Sequence, residues 1–388
     1  MKTFLPRRRS IVGTNRPLLL SLLCITILAG CTDIGEESRD APERTRAEQT
    51  DRPEERRDES RPDVSGLVIG FYNVENLFDT RDDPDVDDEE FLPRGRFRWT
   101  EERVETKLEN LARAIKAIDG NNGPDILGVC EVENGDVLDR LVGEYLPRNE
   151  YAVVHRDSPD NRGIDVALIY RSAVVTAGEP VLHPVPFPRG ERPTRGILEV
   201  PFERDGVRFT VMVNHWPSRS GGAEITEAKR LVAAGVAAGV VDSLTALDPA
   251  ADIVLVGDFN DEPSDRSVAE RLGAAPLPER AEDAARGSLF NLAYGIDGEV
   301  AGSYLYDGEW ELIDQIIVSP GLLDRRGLGL DDRALTIHHP DFLRDHHPSE
   351  PLNPPRRTFV RGYKYIGGTS DHFPVYARFS WGSGDRRD

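Results

Sequence analysis

Gly257-Asp258-Phe259-Asn260-Asp261 closes the apolar run Ile253-Val254-Leu255-Val256, and Thr369-Ser370-Asp371-His372-Phe373-Pro374 leads into the apolar run Val375-Tyr376-Ala377. A short run that is apolar throughout is what a strand buried on both faces requires, and the polar cluster beside it marks the point where that strand reaches a solvated rim. Working outward, the same setting recurs four times. Asn73 follows residues 67–72, Glu131 follows 126–130, Asn214-His215 follow 209–213, and Asp314 precedes 315–318. Six strand ends therefore offer polar side chains that one rim of one domain can hold. The spacing of two between Asp258 and Asn260 puts both on one face of an extended segment.

The apolar runs themselves set the fold class. Strands are expected at 67–69, 126–129, 166–170, 209–213, 253–256, 316–318 and 375–377. Helices are expected over 100–118, with Leu108, Leu111, Ile115 and Ile118 on one face, and over 225–244. The Ala/Val-rich stretch 231–241 is bracketed by charge and reads as core-facing helix. Buried strands flanked by helices fit either a doubly wound sheet or two stacked sheets covered on both sides. A doubly wound sheet needs a phosphate-binding glycine-rich turn after its first strand, and Asn73-Val74-Glu75-Asn76 is not one.

The ends of the chain differ from its middle. Arg7-Arg8-Arg9 precede the apolar stretch 18–28, which is short for a bilayer span and ends in Leu28-Ala29-Gly30-Cys31. Residues 1–31 read as a signal peptide with a lipobox, so that the Cys31 thiol carries the lipid. Residues 32–65 are Glu, Asp, Arg, Pro and Ser without an aromatic, too polar to offset the entropy of ordering, and read as a disordered linker. Residues 66–381 read as the globular domain and 382–388 as a polar tail. With three cysteines in all, Cys24, Cys31 and Cys130, no disulfide framework is implied.

The formal charge is −21, and five lysines leave arginine as the main cation. A polyanion-binding protein ordinarily carries a basic footprint, so the bulk charge argues against nucleic acid unless positive potential is kept locally. Such a surface suits high salt, where screening shortens repulsion to about 3 Å at 1 M. The acidic stretch 79–90 alternates Asp83, Asp85 and Asp87 as some calcium loops do. Ca²⁺ is the structural ion it would take, but it lacks EF-hand spacing and reads as a solvated loop. His338-His339 and His346-His347 lie in a Pro- and Asp-rich insertion that reads as a polar loop. No loop announces a basic aromatic groove for single strands.

Carboxylates and amides are hard oxygen ligands suited to Mg²⁺ or Mn²⁺, and no Cys/His cluster has zinc spacing. Asp258 with Asn260, and Asp371 with His372, thus point to metal-assisted phosphate-ester cleavage.

The ordered blocks 73–79, 130–134, 162–168, 214–219, 257–261, 313–315 and 370–372 resemble those of the endonuclease/exonuclease/phosphatase superfamily, of the pancreatic deoxyribonuclease type. They look most like its secreted or membrane-anchored bacterial nuclease branch, through Asn73-Val74-Glu75-Asn76-Leu77-Phe78-Asp79 and Asn214-His215-Trp216. The resemblance implies an α/β fold, a four-layer α/β/β/α sandwich of two packed mixed sheets with helices on both outer faces. It implies Glu131 as main metal ligand with Asn73 and Asp371 near it, and Asp314 orienting His372 as general base. His215 would contact the phosphate or protonate the leaving oxygen, and Asp258 would position water or bind metal. Asn260, Arg162 and Arg195 would contact the phosphate, with Arg219 a weaker candidate.

The expectation is an exported, lipid-anchored, divalent-metal-dependent phosphodiesterase, a non-specific nuclease acting on DNA or RNA. Its rival is a phosphatase or phospholipid phosphodiesterase with the same site. Thr32, rather than Asp, after Cys31 favours the outer membrane or cell surface of a bacterial envelope. A monomer is expected, and no protein partner is inferable.

Overall fold

The structure, a computed structural model, describes residues 66–146, 151–284, 288–296, 298–348 and 351–382. The expected signal peptide, Cys31, the 32–65 linker and residues 383–388 of the tail lie outside the described residues.

Two mixed sheets face each other. The first runs in the order Leu328–Leu330, Val375–Trp381, Gly66–Leu77, Ile126–Val132, Asp165–Arg171, Tyr151–His155. The second runs Ala274–Pro276, Leu289–Asn291, Asp314–Val318, Ile253–Asp258, Val207–His215, Ile197–Arg204, Thr176–Ala177. Gly66–Leu77 is parallel to Ile126–Val132, and Val207–His215 to Ile253–Asp258, while most other neighbours are antiparallel. All seven expected strands are present. Most are longer than their apolar runs because polar rim residues continue the ladder, Asn73 pairing with Cys130 and Asp258 with both His215 and Asp314, whereas 375–377 lengthens away from the rim, to Trp381.

The facing sides of the sheets bury Ile126, Leu168, Val213, Val254, Val256 and Ile316 in one core. Gly128 permits the closest approach, since a Cβ there would stand 2.7 Å from Val256 Cγ2 on the opposite sheet. Helix Glu101–Asn121 lays buried Leu108, Leu111, Ile115 and Ile118 on the outer side of the first sheet, the side that Leu127 and Val129 face, and leaves helical geometry at Ile118–Gly120. Helix Ala223–Leu247 lays Ala233, Ala234, Ala237, Val240 and Val241 on the outer side of the second sheet, against Met212, Ile253, Leu255 and Ile317. Small side chains let that helix sit close, so the stretch 231–241 is core-facing. The result is the four-layer sandwich.

Candidate active site

Two neighbouring strands are bent at the rim. Register shifts between Asn73 and Leu77 on one strand, and between Cys130 and Val132 on the next, with Glu75, Asn76 and Glu131 at φ of 49°, 52° and 62°. Left-handed non-glycine residues in a bulge cost conformational energy, and here they turn Glu131 out of the ladder. Its Oε2 accepts from the Asn76 backbone N–H at 2.9 Å, leaving Oε1 toward the rim. Asn73 Oδ1 accepts from the Glu75 N–H at 3.0 Å, which fixes the amide so that Nδ2 faces Asp258 Oδ2 at 3.1 Å, Glu131 Oε1 at 3.4 Å and His372 Nε2 at 3.5 Å.

The Gly-Asp-Phe-Asn segment is a turn rather than the expected extended stretch. Asn260 is at φ 51°, and its N–H donates to Asp258 Oδ1 at 2.9 Å, so aspartate and amide are brought together by the turn and not by strand alternation. Gly257 is required because a Cβ would lie 2.5 Å from the Asn214 carbonyl on the adjacent strand. Asn260 Nδ2 donates to the Trp216 carbonyl at 3.0 Å, and Trp216 packs edge-on against Phe259.

Across this rim, His372 Nδ1 lies 2.7 Å from Asp314 Oδ2, with both residues buried. Ser370 Oγ accepts the His372 N–H and donates to the Asn73 carbonyl, tying the Ser-Asp-His block to the first strand. Burial alone would lower the His372 pKa, but the charges of Asp314, Asp371 and Asp258 outweigh it and push it up to about 10. His215 behaves in the opposite way. Its Nε2 stands 3.9 Å from Glu131 and 3.8 Å from Asp258, while burial, then Arg195, Arg162 and His372, hold it well below the usual histidine range. One imidazole is held charged and the other neutral.

Arg195 is buried and committed to Asp160 Oδ2 at 3.1 Å and the Trp216 carbonyl at 2.9 Å; Arg162, its side chain 51 % exposed, sits beside Asp160 at 3.5 Å. Arg219 is tied to the Asn260 carbonyl, Glu311 and Asp265.

The donor set fits a hard divalent cation. Asp258 is pushed up to about 7 by burial and then by Asp314, and Glu75 to about 7 by burial and then by Asp371. Glu131 and Asp371, with side chains 17 % and 25 % exposed, are the carboxylates open to solvent. Carboxylate oxygen is in excess of positive charge, and the fully buried Cys130, its thiol pushed well up by burial, offers no soft thiolate.

Two contributors carried no signal in the motifs. Lys107, only 1 % exposed, donates to the Glu75 carbonyl, Thr358 Oγ1 and the Thr369 carbonyl at 2.9, 2.7 and 2.7 Å, and lies 3.8 Å from Glu75 Oε2. Its place on the apolar face of Glu101–Asn121, between Val104 and Leu108, was the available clue. Tyr304 stacks on His372, ring centroids 4.7 Å apart.

The Endonuclease/Exonuclease/phosphatase family model matches residues 68–380. No curated protein matches the chain. Among solved structures, humanized D. rerio TDP2 with 14 mutations is 15 % identical with TM-score 0.51, covering 82 % of this chain and 100 % of that one. The human Nocturnin catalytic domain with bound sulfate is 16 % identical, covering 82 % and 95 %, TM-score 0.47. The mannosyl-6-phosphatase of Bacteroides thetaiotaomicron is 17 % identical, covering 81 % and 100 %, TM-score 0.49. The first of these shares the fold. Blocks in family order across nearly the whole described domain converge on one metal-fitting rim, and the chain belongs to the Endonuclease/Exonuclease/phosphatase family of metal-dependent phosphoester hydrolases.

Proposed function

We propose that the chain is an exported, lipid-anchored phosphodiesterase of the non-specific nuclease type, using Mg²⁺ or Mn²⁺. The observation that carries the chemistry is the buried His372–Asp314 pair, at 2.7 Å, facing the same rim as Glu131. Glu131, Asp371 and Asn73 would hold the cation. When bound, it would offset the Asp371 charge, one of those that raise the His372 pKa, and the charge that develops on the phosphoryl oxygens.

His372, with its tautomer fixed by Asp314, takes the proton of the attacking water as the new P–O bond forms. Asp258 orients that water. The bond to the leaving oxygen breaks, its electron pair stays on that oxygen, and that oxygen accepts a hydrogen bond from the neutral His215 Nε2–H and takes its proton from solvent. Asn260 and Arg162 hold non-bridging oxygens, while Arg195 positions Arg162 and Asn260 through the shared Asp160 and the Trp216 carbonyl. Nuclease rather than phosphatase use is supported by the Asn73–Asp79 and Asn214-His215-Trp216 blocks.

Export and anchoring rest on the basic start, the 18–28 apolar run and the lipobox ending at Cys31, and Thr32 favours the outer membrane or cell surface. A monomeric catalytic domain completes the proposal.

The test is incubation of plasmid DNA and RNA with the full chain in detergent, with Mg²⁺ or Mn²⁺ against EDTA. Metal-dependent cleavage of either polymer is expected. Hydrolysis of a phosphomonoester or a phospholipid, without cleavage of either polymer, would overturn the nuclease assignment.

A further inference from the structure

A cleft of about 1060 Å³ opens beside the rim, between the hairpin of Tyr304–Tyr306 with Glu309–Glu311 and the hairpin of Phe359–Val360 with Lys364–Tyr365. Its charge is the reverse of the chain's. Among the described residues, five cationic side chains line it (Arg344, Arg356, Arg357, Arg361, Lys364) against two carboxylates, in a protein of net charge −21. Arg344 is paired with Glu299, but Arg357, Arg361 and Lys364 form no ion pair among the described residues.

Aromatic surface leads from the catalytic end into this cleft. Tyr304 stacks on His372, and Tyr306, two residues along the same strand and therefore on the same face, stacks on Tyr304 with centroids 6.5 Å apart and planes 14° from parallel. Tyr306 is 62 % exposed, so the outer face of the ladder is open. The opposite hairpin is held rigidly. Phe359 and Tyr365 pack into a cluster with Phe97 and Trp99, and Arg103 covers the Tyr365 ring at 4.2 Å. Pairing of Val360 with Lys364 sends that pair to the other face, toward the cleft.

The open π-face of Tyr306, in line with cations that form no ion pair among the described residues, matches a ligand that joins flat bases to phosphates. A duplex, whose bases are already stacked, leaves the tyrosines without a partner, and a flat lipid surface cannot enter a concave cleft.

We propose that this cleft binds a single-stranded polynucleotide leading away from the scissile phosphate, with a base on the outer face of Tyr306, which Tyr304 backs, and phosphates on Arg357, Arg361 and Lys364. It deepens the phosphodiesterase assignment above and rests on it. Positive potential confined to one cleft also lets an acidic chain handle a polyanion.

The test compares the full chain in detergent with its Arg357→Ala/Arg361→Ala/Lys364→Ala and Tyr306→Ala variants, on a short single-stranded oligodeoxynucleotide and on bis-p-nitrophenyl phosphate, which fills the rim alone. The triple variant is expected to raise KM for the oligonucleotide on the order of tenfold and to flatten its salt dependence by about 2 in log–log slope, at about 0.7 per phosphate contact. Tyr306→Ala should cost about tenfold in KM without changing that slope. Both should keep kcat/KM on the small diester. Unchanged KM values and salt slope on an oligonucleotide that the parent chain cleaves would overturn the cleft while leaving the nuclease standing. A parent chain that hydrolyses the diester but no polynucleotide would overturn both. Loss of binding to anionic phosphatidylglycerol vesicles by the triple variant, with unchanged oligonucleotide kinetics, would reassign the cations to lipid and overturn the proposal.

Discussion

Lys107→Met isolates what the buried cation does for the rim. Methionine keeps the unbranched stem beside Val104 and Leu108 but removes an ammonium that donates to three acceptors and faces the Glu75 carboxylate at 3.8 Å. Each hydrogen bond from a charged donor contributes about 1.5–3 kcal/mol, and removing one member of a buried ion pair costs about 3–5 kcal/mol because the other is left uncompensated. The larger gross sum is not realised in full, since Glu75 escapes part of the cost by taking a proton. Burial already pushes its pKa up to about 7, and Lys107 is one of the groups restraining it.

The expected loss in unfolding free energy is therefore about 3–5 kcal/mol near neutral pH, read as a lower urea midpoint at unchanged slope. The loss should shrink toward acid, because without Lys107 the folded-state pKa of Glu75 rises further, and the stability it takes away as pH rises is restored as pH falls. Adding Glu75→Gln, which can still accept the Thr358 N–H, should recover part of the loss. Catalysis should suffer as well, since Lys107 holds the Thr369 carbonyl next to Ser370-Asp371-His372. An unchanged midpoint for Lys107→Met, or a double variant no better than the single one, would refute the reasoning.

Asp314→Asn should lower kcat about 10²- to 10⁴-fold, the span of general acid–base assistance, with KM little changed; kcat within twofold of the parent would remove Asp314 from its orienting role. Asp252 lies away from the rim, where burial, then Asp324 and Asp248, push its pKa up to about 7. The folded chain holds a proton there that the unfolded chain releases near pH 4, so the stability linked to this group is present at low pH and lost as pH rises through about 7. Asp252→Asn, at a position only 8 % exposed, should raise the unfolding free energy at pH 8 by no more than about 4 kcal/mol and flatten its fall between pH 4 and 7; an unaltered pH profile would contradict the assignment. Cys31→Ser should move the protein from the membrane pellet to the soluble fraction, and a variant still wholly in the pellet would sink the lipobox reading.

Much of the fold was legible because apolar runs of four or five residues leave little choice but buried strands. Ile253–Asp258 and Asp314–Val318 are of this kind, every residue buried. The site was legible as a set of residue types at strand ends. Its geometry was not, because bulges and turns carry it: Glu131 and Asn260 both adopt positive φ, which no local composition signals. The expectation that Asp258 and Asn260 share an extended face failed for that reason. Lys107 was hidden because a long side chain can carry its charge inward only when distant carbonyls receive it, here at Thr369 and Glu75. The cationic cleft was hidden likewise, since its tyrosines and its arginines lie on hairpins far apart in sequence, and the bulk charge pointed the other way.

The most direct test of the central claim is hydrolysis of a single-stranded oligonucleotide and of bis-p-nitrophenyl phosphate by the full chain and its Glu131→Ala and His372→Ala variants, with Mn²⁺ or Mg²⁺ against EDTA. The account predicts cleavage only with the metal, lost in both variants while their urea transitions stay cooperative. Undiminished hydrolysis in EDTA, or near-parental rates in either variant, would contradict it.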